Sequence, residues 1–238
     1  MSLKEDLQNG VDSYFTGSYE VKTGNVVPNI DDIKLGKYGK EMELAMVFID
    51  IRESTKIVDG FRRRTAARMY KSFLWGVTKI ARSNNGDLRS FNGDGVLIVF
   101  AGDSKRTNAA KAGLQMSWFC KKILKPKIET FFENNNQLKD LEFNFGIGID
   151  VGKVLIVRGG IKGESNNDLV WVGNATNYAV KFSSINDGDG YNVFISKDVY
   201  DNMAKSSKYG GNPEKDMWER RTWNDNVVYR SSWTWTPG

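Results

Sequence analysis

Hydrophobic residues along the chain form short continuous runs in some segments and recur at helical spacing in others. Residues 44–51, apolar except for Asp50, and the apolar run 96–100 are typical of buried strands. Residues 59–82 instead place apolar side chains at intervals of three and four, which predicts a helix with one buried face. The turn dipeptides Asn85-Gly86 and Asn92-Gly93 predict that residues 87–91 and 96–100 form a hairpin.

The second half of the chain continues this mixture of strands and helices. Residues 104–124 predict a helix that ends before Pro126, and residues 141–150 and 153–158 predict a second hairpin around Gly152. The remaining predicted elements are a strand at 169–172, a helix at 174–185, a strand at 191–196, a short helix at 197–206 and a closing antiparallel pair within 217–235. Because hairpins and crossovers alternate, we expect an α+β fold with helices on a mixed sheet and a ferredoxin-like βαββαβ core.

Residues 1–43 are polar and mixed, unlike the segments that follow. We expect them to form an N-terminal extension that packs as a short helix near a dimer interface. Residues 44–238 are then expected to form one compact domain.

The overall composition allows a substantial core. Hydrophobic residues make up 40% and charged residues 26% of the 238 positions, as in ordinary globular proteins. No apolar run approaches the ~20 residues that cross a bilayer. The first residues lack the basic start and apolar block of a signal peptide. Cys120 is the single cysteine, so a disulfide framework is excluded. These features predict a cytoplasmic protein without a membrane segment.

Charge and the absence of histidine narrow the possible chemistry. The net charge of +5 favours anionic partners such as nucleotides. The cluster Arg62-Arg63-Arg64 is interpreted as a solvated helix face, and no stable nucleic-acid partner is expected. Without histidine the chain cannot form a Ser-His-Asp triad, a Cys-His pair or the usual zinc sites. A metal would therefore be bound by oxygen ligands, which suits Mg²⁺ or Mn²⁺.

Two aspartates stand where predicted strands end. Asp50 follows the apolar residues 45–49, and Asp94 comes just before residues 96–100. Carboxylates on neighbouring strands can hold two divalent cations about 4 Å apart, which clamp a polyphosphate for in-line displacement. Either aspartate taken alone is better interpreted as a helix cap or a turn residue, and their shared context is what favours a metal site. The chain contains no Gly-x-x-x-x-Gly-Lys-Ser/Thr loop and no Gly-x-Ser-x-Gly elbow, which excludes the P-loop and nucleophile-elbow patterns.

Four sequence blocks between residues 44 and about 185 resemble, in the same order, motifs of the class III nucleotidyl cyclases. The blocks are 48–55, similar to Phe-x-Asp-Ile-x-Gly-Phe-Thr; 85–100, similar to a Gly-Gly-x-x-x-Lys-x-x-Gly-Asp hairpin; 146–160, similar to Gly-Ile-x-x-Gly-x-Val-x-x-Gly; and 172–179, similar to Trp-Gly-x-x-Val-Asn-x-Ala. One block alone would be a weak signal, but four in order are specific. The resemblance implies the class III cyclase fold and a catalytic domain over residues 44–238.

The resemblance also implies roles for individual residues. Asp50 and Asp94 are expected to bind two metal ions, Mn²⁺ or Mg²⁺, with the carbonyl of Ile51 completing one site. Asn177 from the partner subunit is expected to orient the ribose, which implies a head-to-tail homodimer with shared active sites. Lys181 stands where the family usually has an arginine near the reacting phosphate, so the charge is kept but the bidentate fork is lost.

Backbone amides after the first aspartate are the implied phosphate ligands. Helix N-termini bind anions, and the strand-to-helix turn is expected to cradle the β- and γ-phosphates. The residues of this turn are Arg52, Glu53, Ser54 and Thr55, in which Glu53-Ser54 replaces the Gly-Phe of the family.

The chain departs from the purine cyclases at the base-reading positions. Ser90, beside Arg89, replaces a lysine that reads adenine, and Val170 replaces an aspartate with the same task. The chain is thus most similar to the pyrimidine cyclases of bacterial anti-phage (Pycsar) systems, which make cyclic UMP or cyclic CMP. Phe48 and Trp171, each of which reads equally as a core residue, are expected to narrow the base pocket.

The substrate predicted from these positions is UTP. Arg89 or Ser90 can donate hydrogen bonds to the uracil O2 or O4 carbonyl, whereas cytosine would need an acceptor at its 4-position. The resemblance further implies a separate effector activated by the cyclic nucleotide. The alternatives are a cytidylate cyclase, an adenylate or guanylate cyclase, a catalytically inactive binding module, a diguanylate cyclase and an RNA-binding protein.

Overall fold

A computed structural model describes residues 2–60, 63–133, 143–161, 167–188 and 190–238 of the chain, without the side chains of 58–60 and 92. The helices are α1 (Leu3–Phe15), α2 (Ser54–Gly60), α3 (Arg63–Ser83), α4 (Lys105–Phe119), α5 (Lys125–Glu133), α6 (Asn174–Ser183), α7 (Lys197–Asn202) and α8 (Lys205–Lys208). The strands are β1 (Glu20–Thr23), β2 (Tyr38–Arg52), β3 (Gly86–Asn92), β4 (Gly95–Phe100), β5 (Asn144–Gly159), β6 (Asp168–Val172), β7 (Val193–Ser196), β8 (Tyr209–Gly210), β9 (Lys215–Asp216), β10 (Glu219–Trp223) and β11 (Asn226–Ser231).

One mixed sheet organises the described residues. Its strands follow the order β10-β11-β7-β5-β2-β4-β3, with β1 parallel to the start of β2 and β6 antiparallel to the end of β5. β5 and β7 run parallel, and the other neighbours along the main order run antiparallel. This arrangement confirms the predicted α+β fold with helices on a mixed sheet.

The central strand β2 is buried on both faces because its side chains alternate between two cores. Ala45, Val47, Ile49 and Ile51 join the cluster covered by α3 and α4. Leu44, Met46 and Phe48 join the cluster on the opposite face, to which α6 contributes. Since successive side chains of a strand point to opposite faces, Asp50 continues the face of Phe48 at the end of the strand. The Asp50 carboxylate therefore lies at the rim of the sheet.

Helix α6 lies directly on two glycines of β5. A Cβ atom added at Gly146 would lie 1.8 Å from the carbonyl oxygen of Ser183. A Cβ atom added at Gly148 would lie 1.9 Å from the carbonyl oxygen of Ala179. Only glycine permits this close approach of helix backbone to strand backbone. The two glycines thereby fix the position of the helix that carries Asn177 and Lys181.

The predicted second hairpin around Gly152 is wrong. Residues 144–159 form the single strand β5, which pairs continuously with β2 from Asn144 opposite Arg52 to Val157 opposite Gly39. A long β2 offers partners to both halves of β5, so no turn is needed at Gly152. Residues 141–142 of the predicted strand lie outside the described residues.

The helix predicted at 104–124 does not end before Pro126. It passes from α4 through a π-helical turn at Cys120–Leu124 into α5, which contains Pro126. In the π turn the Lys125 amide donates to the carbonyl of Cys120, five residues back. Such a turn changes the local hydrogen-bond register, so the missing N–H of proline breaks no regular ladder.

Other elements follow the sequence prediction closely. The hairpin at 87–100 is β3–β4, and the closing antiparallel pair is β10–β11. The predicted helix at 59–82 is divided into α2 and α3, with residues 61–62 outside the described part of the chain.

The first 43 residues contain a helix and a strand. α1 begins with a capping box formed by Ser2 and Glu5, and none of its residues is buried. β1 pairs with residues 38–41 of β2, so the central strand begins earlier than the predicted position 44. The division at residues 43 and 44 and the location near a dimer interface stay predictions. Within the described ranges no helix has both the length and the apolarity to cross a membrane.

Candidate active site

Asp50 and Asp94 meet at one end of the central strands. Ile49 of β2 pairs with Val96 of β4, so the next residues outward are Asp50 and Gly95. A Cβ atom on Gly95 would lie 3.2 Å from Asp50 Oδ1 and 2.5 Å from the ring of Phe48. Glycine at position 95 thus leaves room for the carboxylate, and Asp94 in the β3–β4 turn lies beside it.

The electrostatics of this pair are unfavourable without a cation. Burial is the largest cause that raises the pKa of Asp50 to about 6. The negative charge of Asp94, and the hydrogen bond that a protonated Asp50 makes with it, raise this pKa further. Asp94 Oδ2 is buried and has no hydrogen-bond partner. Two adjacent carboxylates with an unpaired buried oxygen form a site that favours positive charge.

The donor set fits a hard divalent cation. Mg²⁺ is commonly bound through one or two carboxylates together with substrate phosphates and water. Asp50 and Asp94 supply two carboxylates, and the backbone of Ile51 follows directly along β2. In the part of the chain that the structure describes, no group of three or more Asp, Glu or Cys side chains forms a metal site. The remaining ligands would therefore come from the backbone, substrate or water.

The turn after Asp50 contains a residue in an unusual backbone conformation. Glu53 has a φ of 56°, in the left-handed region that favours glycine. This is the position at which the class III pattern has glycine, the residue that adopts such a φ most readily. The Glu53 carboxylate is exposed and pairs with Lys56 at 2.8 Å.

Arg52 directs its side chain away from this turn. Its guanidinium donates to the carbonyl of Ile185 and, over 3.3 Å, to Asn186 Oδ1, both just beyond α6. Of Arg52, only the backbone amide remains for the predicted phosphate contact. Ser54 and Thr55 follow as the first residues of α2.

A second group of partly buried side chains lies on the β3 side of the sheet. Leu88 of β3 pairs with Ile98 of β4, and Ser90 pairs with the neighbouring Leu97. Arg89 is therefore the extra residue of a β-bulge. Its guanidinium carbon lies 5.7 Å from the centroid of the Trp171 ring. It also pairs with Asp87 at 3.4 Å, and its side chain is only 14% exposed.

Two buried donors of this group have no hydrogen-bond partner. They are the Nε atom of Arg89 and the Nε1 atom of Trp171. Phe48 and Trp171 both belong to the core cluster on the face shared with α6. The two predicted pocket residues are therefore core residues, and Trp171 in addition offers a free N–H. Ser90 is partly buried, and Val170 is exposed on β6.

Asn177 and Lys181 lie on α6 and are exposed. They are four residues apart and thus share one face of the helix. The Lys181 ammonium lies 5.4 Å from the centroid of the Tyr178 ring. Their exposure leaves both side chains accessible to a second subunit.

Comparison with known proteins decides the family. No family model matches the chain. The chain is 34% identical to a uridylate cyclase of Burkholderia cepacia, over 99% of this chain and 100% of that protein. It is 32% identical to a uridylate cyclase of Xanthomonas perforans, over 99% of each chain. A uridylate cyclase of Rhodovulum sp. (strain MB263) is 31% identical, over 100% of this chain and 99% of the relative.

The chain belongs to the uridylate cyclase family.

Solved structures show the same fold for this uridylate cyclase family member. The crystal structure of the guanylyl cyclase Cya2 matches with a TM-score of 0.65 at 16% identity, covering 84% of this chain and 96% of that chain. The crystal structure of the adenylyl cyclase CyaB from P. aeruginosa matches with a TM-score of 0.65 at 18% identity, covering 81% and 95%. The expected class III cyclase fold is confirmed.

One residue near the carboxylates belongs to no sequence motif. Tyr70 of α3 lies in the segment 59–82, whose helical spacing of apolar residues predicts only a buried face. Its hydroxyl group donates to the carbonyl of Ser54 over 3.3 Å. A tyrosine rather than a phenylalanine at a mostly buried position was the available signal, because a buried hydroxyl needs a partner.

Proposed function

We propose that this chain converts UTP to 3′,5′-cyclic UMP and pyrophosphate by two-metal catalysis. The observation that carries the proposal is the pair Asp50 and Asp94 at the rim of a class III cyclase sheet, with a buried oxygen that has no partner. The family membership supports the same activity, since three relatives that match along essentially the whole chain are uridylate cyclases. The ribose 3′ oxygen attacks the α-phosphorus, and pyrophosphate leaves.

Asp50 and Asp94 would hold the two cations, either Mn²⁺ or Mg²⁺, with the Ile51 carbonyl. When bound, such cations activate the 3′-hydroxyl and neutralise charge on the leaving pyrophosphate. The backbone amides from Arg52 to Thr55 would hold the β- and γ-phosphates. The left-handed conformation of Glu53 supports this role, because it occurs at the position where the class III pattern has glycine.

Arg89, Ser90 and Trp171 would read the base, and Phe48 would form a wall of its pocket. Val170, predicted for the same pocket, faces the opposite side of β6 from Trp171. Uracil presents carbonyl acceptors at positions 2 and 4, whereas cytosine carries a donor at position 4. The Arg89 Nε–H and Trp171 Nε1–H groups are both donors without partners. Burying a donor without an acceptor is costly, so beside these donors a carbonyl acceptor at position 4 is favoured over an amino donor at that position.

Asn177 and Lys181 would act across a homodimer. Both are exposed on α6 and thus accessible to the pair of aspartates of a second subunit. Asn177 would orient the ribose, and Lys181 would contact the reacting phosphate as a point charge. A head-to-tail pair would then contain two shared sites.

The biological role that we propose rests on the resemblance to the anti-phage pyrimidine cyclases. The enzyme would work in the cytoplasm and make a second messenger on infection. A separate effector would bind the cyclic nucleotide.

Product analysis tests the proposed activity. The purified protein is incubated with Mn²⁺ and each of ATP, GTP, CTP and UTP, and cyclic products are identified by mass spectrometry. We expect cyclic UMP from UTP. Cyclic CMP as the main product would support the cytidylate alternative, and a cyclic purine nucleotide would contradict the assignment of the base-reading residues. Binding of one nucleotide without turnover would indicate an inactive binding module.

A further inference from the structure

Tyr70 links helix α3 to the turn that follows the first carboxylate. Its hydroxyl group donates to the Ser54 carbonyl, with 3.3 Å between the two oxygens. Its ring packs partly buried against the core cluster under α3 and α4. The hydroxyl is therefore held by a rigid element while it contacts a short connecting segment.

The same hydroxyl lies within electrostatic reach of both carboxylates. Burial raises the pKa of Tyr70, and the negative charge of Asp94 raises it further. The charge of Asp50 raises this pKa by a smaller amount. The hydroxyl thus stays protonated at neutral pH and acts as a donor beside the carboxylate pair.

The contacted turn needs support from outside. Glu53 lies in the left-handed region at a φ of 56°, which costs about 1 kcal/mol for a residue other than glycine. The exposed Glu53–Lys56 ion pair adds little, since such surface pairs contribute roughly 0–1 kcal/mol. Within the turn the Lys56 amide donates to the Glu53 carbonyl over 2.9 Å, and the hydrogen bond from Tyr70 ties the segment to α3.

We infer that Tyr70 is a positioning residue for nucleotide binding: its hydroxyl holds the turn at Glu53 and Ser54 in register with the two carboxylates. This inference rests on the proposed function, because it assigns the turn to the nucleotide. Tyr70 itself touches no reacting atom. Its loss should weaken binding of the triphosphate and leave the chemical step nearly intact.

The variant Tyr70→Phe removes the hydroxyl and keeps the ring. Tyr200→Phe is the matched control, because Tyr200 also donates its hydroxyl within the chain, to Asp216. The probe for binding is 2′,3′-dideoxyuridine triphosphate with Mn²⁺, which lacks the attacking hydroxyl. Its affinity is measured by calorimetry, and kcat and KM for UTP are measured in parallel.

We expect Tyr70→Phe to raise the dissociation constant of the probe and the KM for UTP about fivefold, with kcat changed less than twofold. Tyr200→Phe should leave both unchanged. An unchanged dissociation constant in Tyr70→Phe, or a loss confined to kcat, would overturn the inference. A wild-type protein that turns over no UTP would instead contradict the proposed function. The binding measurement would still test whether Tyr70 supports nucleotide binding.

Discussion

The two ends of the candidate site differ in the kind of hydrogen-bonding group that is left without a partner. At the carboxylate pair the unpaired buried atom is an acceptor, Asp94 Oδ2, although Arg52 Nε in the following turn is a buried donor that also lacks a partner. At the β3 end the unpaired buried atoms are donors, Arg89 Nε and Trp171 Nε1. Buried polar groups in native proteins are normally paired, so these atoms are candidate ligand contacts, although Ser117 Oγ and Arg158 Nε, outside the candidate site, lack partners in the same way. The carboxylate end, at Asp50 and Asp94, is called the acceptor end, and its chemistry matches cations. The β3 end, at Arg89 and Trp171, is called the donor end, and its chemistry matches the carbonyl groups of a pyrimidine.

The largest effect is expected at the acceptor end. Asp50→Asn or Asp94→Asn removes a charge that would hold the cations, so turnover should fall at least about 1,000-fold, as for other preorganised electrostatic groups. Calorimetry should show weakened Mn²⁺ binding in both variants. Asp103→Asn, in the turn at the opposite end of β4, is the control and should retain activity. Near-normal turnover in either site variant would show that the substituted aspartate is not needed to bind the metal ions.

Mixing two inactive variants tests whether the site is shared. Asp50→Ala and Asn177→Ala should each lose most activity alone, because each removes one half of both sites. In an equal mixture, random pairing leaves about a quarter of the sites intact, which sets the expected recovery of steady-state activity. A mixture that stays inactive after subunit exchange would contradict the head-to-tail arrangement.

The raised pKa of Asp50 makes stability depend on pH in a defined direction. In the native state the Asp50 carboxyl group keeps its proton up to about pH 6, whereas in the unfolded chain it releases the proton near pH 3.8. The metal-free protein should therefore lose stability as pH rises through this window, by about 1–2 kcal/mol after allowance for partial exposure. Asp50→Asn should lack this loss in urea unfolding. Equal pH profiles for both proteins would contradict the assignment.

Cation binding should follow the same titration. Protons compete with Mn²⁺ for Asp50, so the affinity should fall as pH drops below about 6. Calorimetric titration between pH 5 and pH 8 measures the change. A flat profile would show that Asp50 is not a ligand.

The smallest effect concerns the turn beside the acceptor end. Glu53→Gly removes the side-chain strain at a φ of 56° and should raise the free energy of unfolding by about 0.5–1 kcal/mol. Lys56→Ala controls for the lost ion pair and should change stability by less than about 0.5 kcal/mol. Destabilisation by Glu53→Gly in urea titrations would mean that the Glu53 side chain supports the turn.

The sequence predicts the acceptor end better than the donor end, for a physical reason. Asp50 and Asp94 border continuous apolar runs, and strands buried on both faces leave such a pattern even in a single chain. Arg89 lies on a bulge, which depends on the pairing of β3 with β4 and not on local spacing. Tyr70 lies at an ordinary core position of α3, and only its tertiary contact with Ser54 distinguishes it.

The errors in the predicted fold have the same origin. Gly152 suggested a turn, but β2 is long enough to pair with both halves of β5, so the strand continues. Pro126 suggested a helix end, but a π turn before it adjusts the hydrogen bonds. Both outcomes depend on partners that are distant in sequence or on a rare backbone form.

The most direct test of uracil selection by the unpaired donors compares the turnover of UTP and CTP by the wild type and by Arg89→Met. The ratio of kcat/KM for UTP to that for CTP measures how the donor end reads position 4 of the base. We predict a wild-type ratio well above 10 and a drop of about tenfold in Arg89→Met, carried mostly by UTP. An unchanged ratio, or an equal loss with both nucleotides, would contradict the claim that the unpaired donors select uracil.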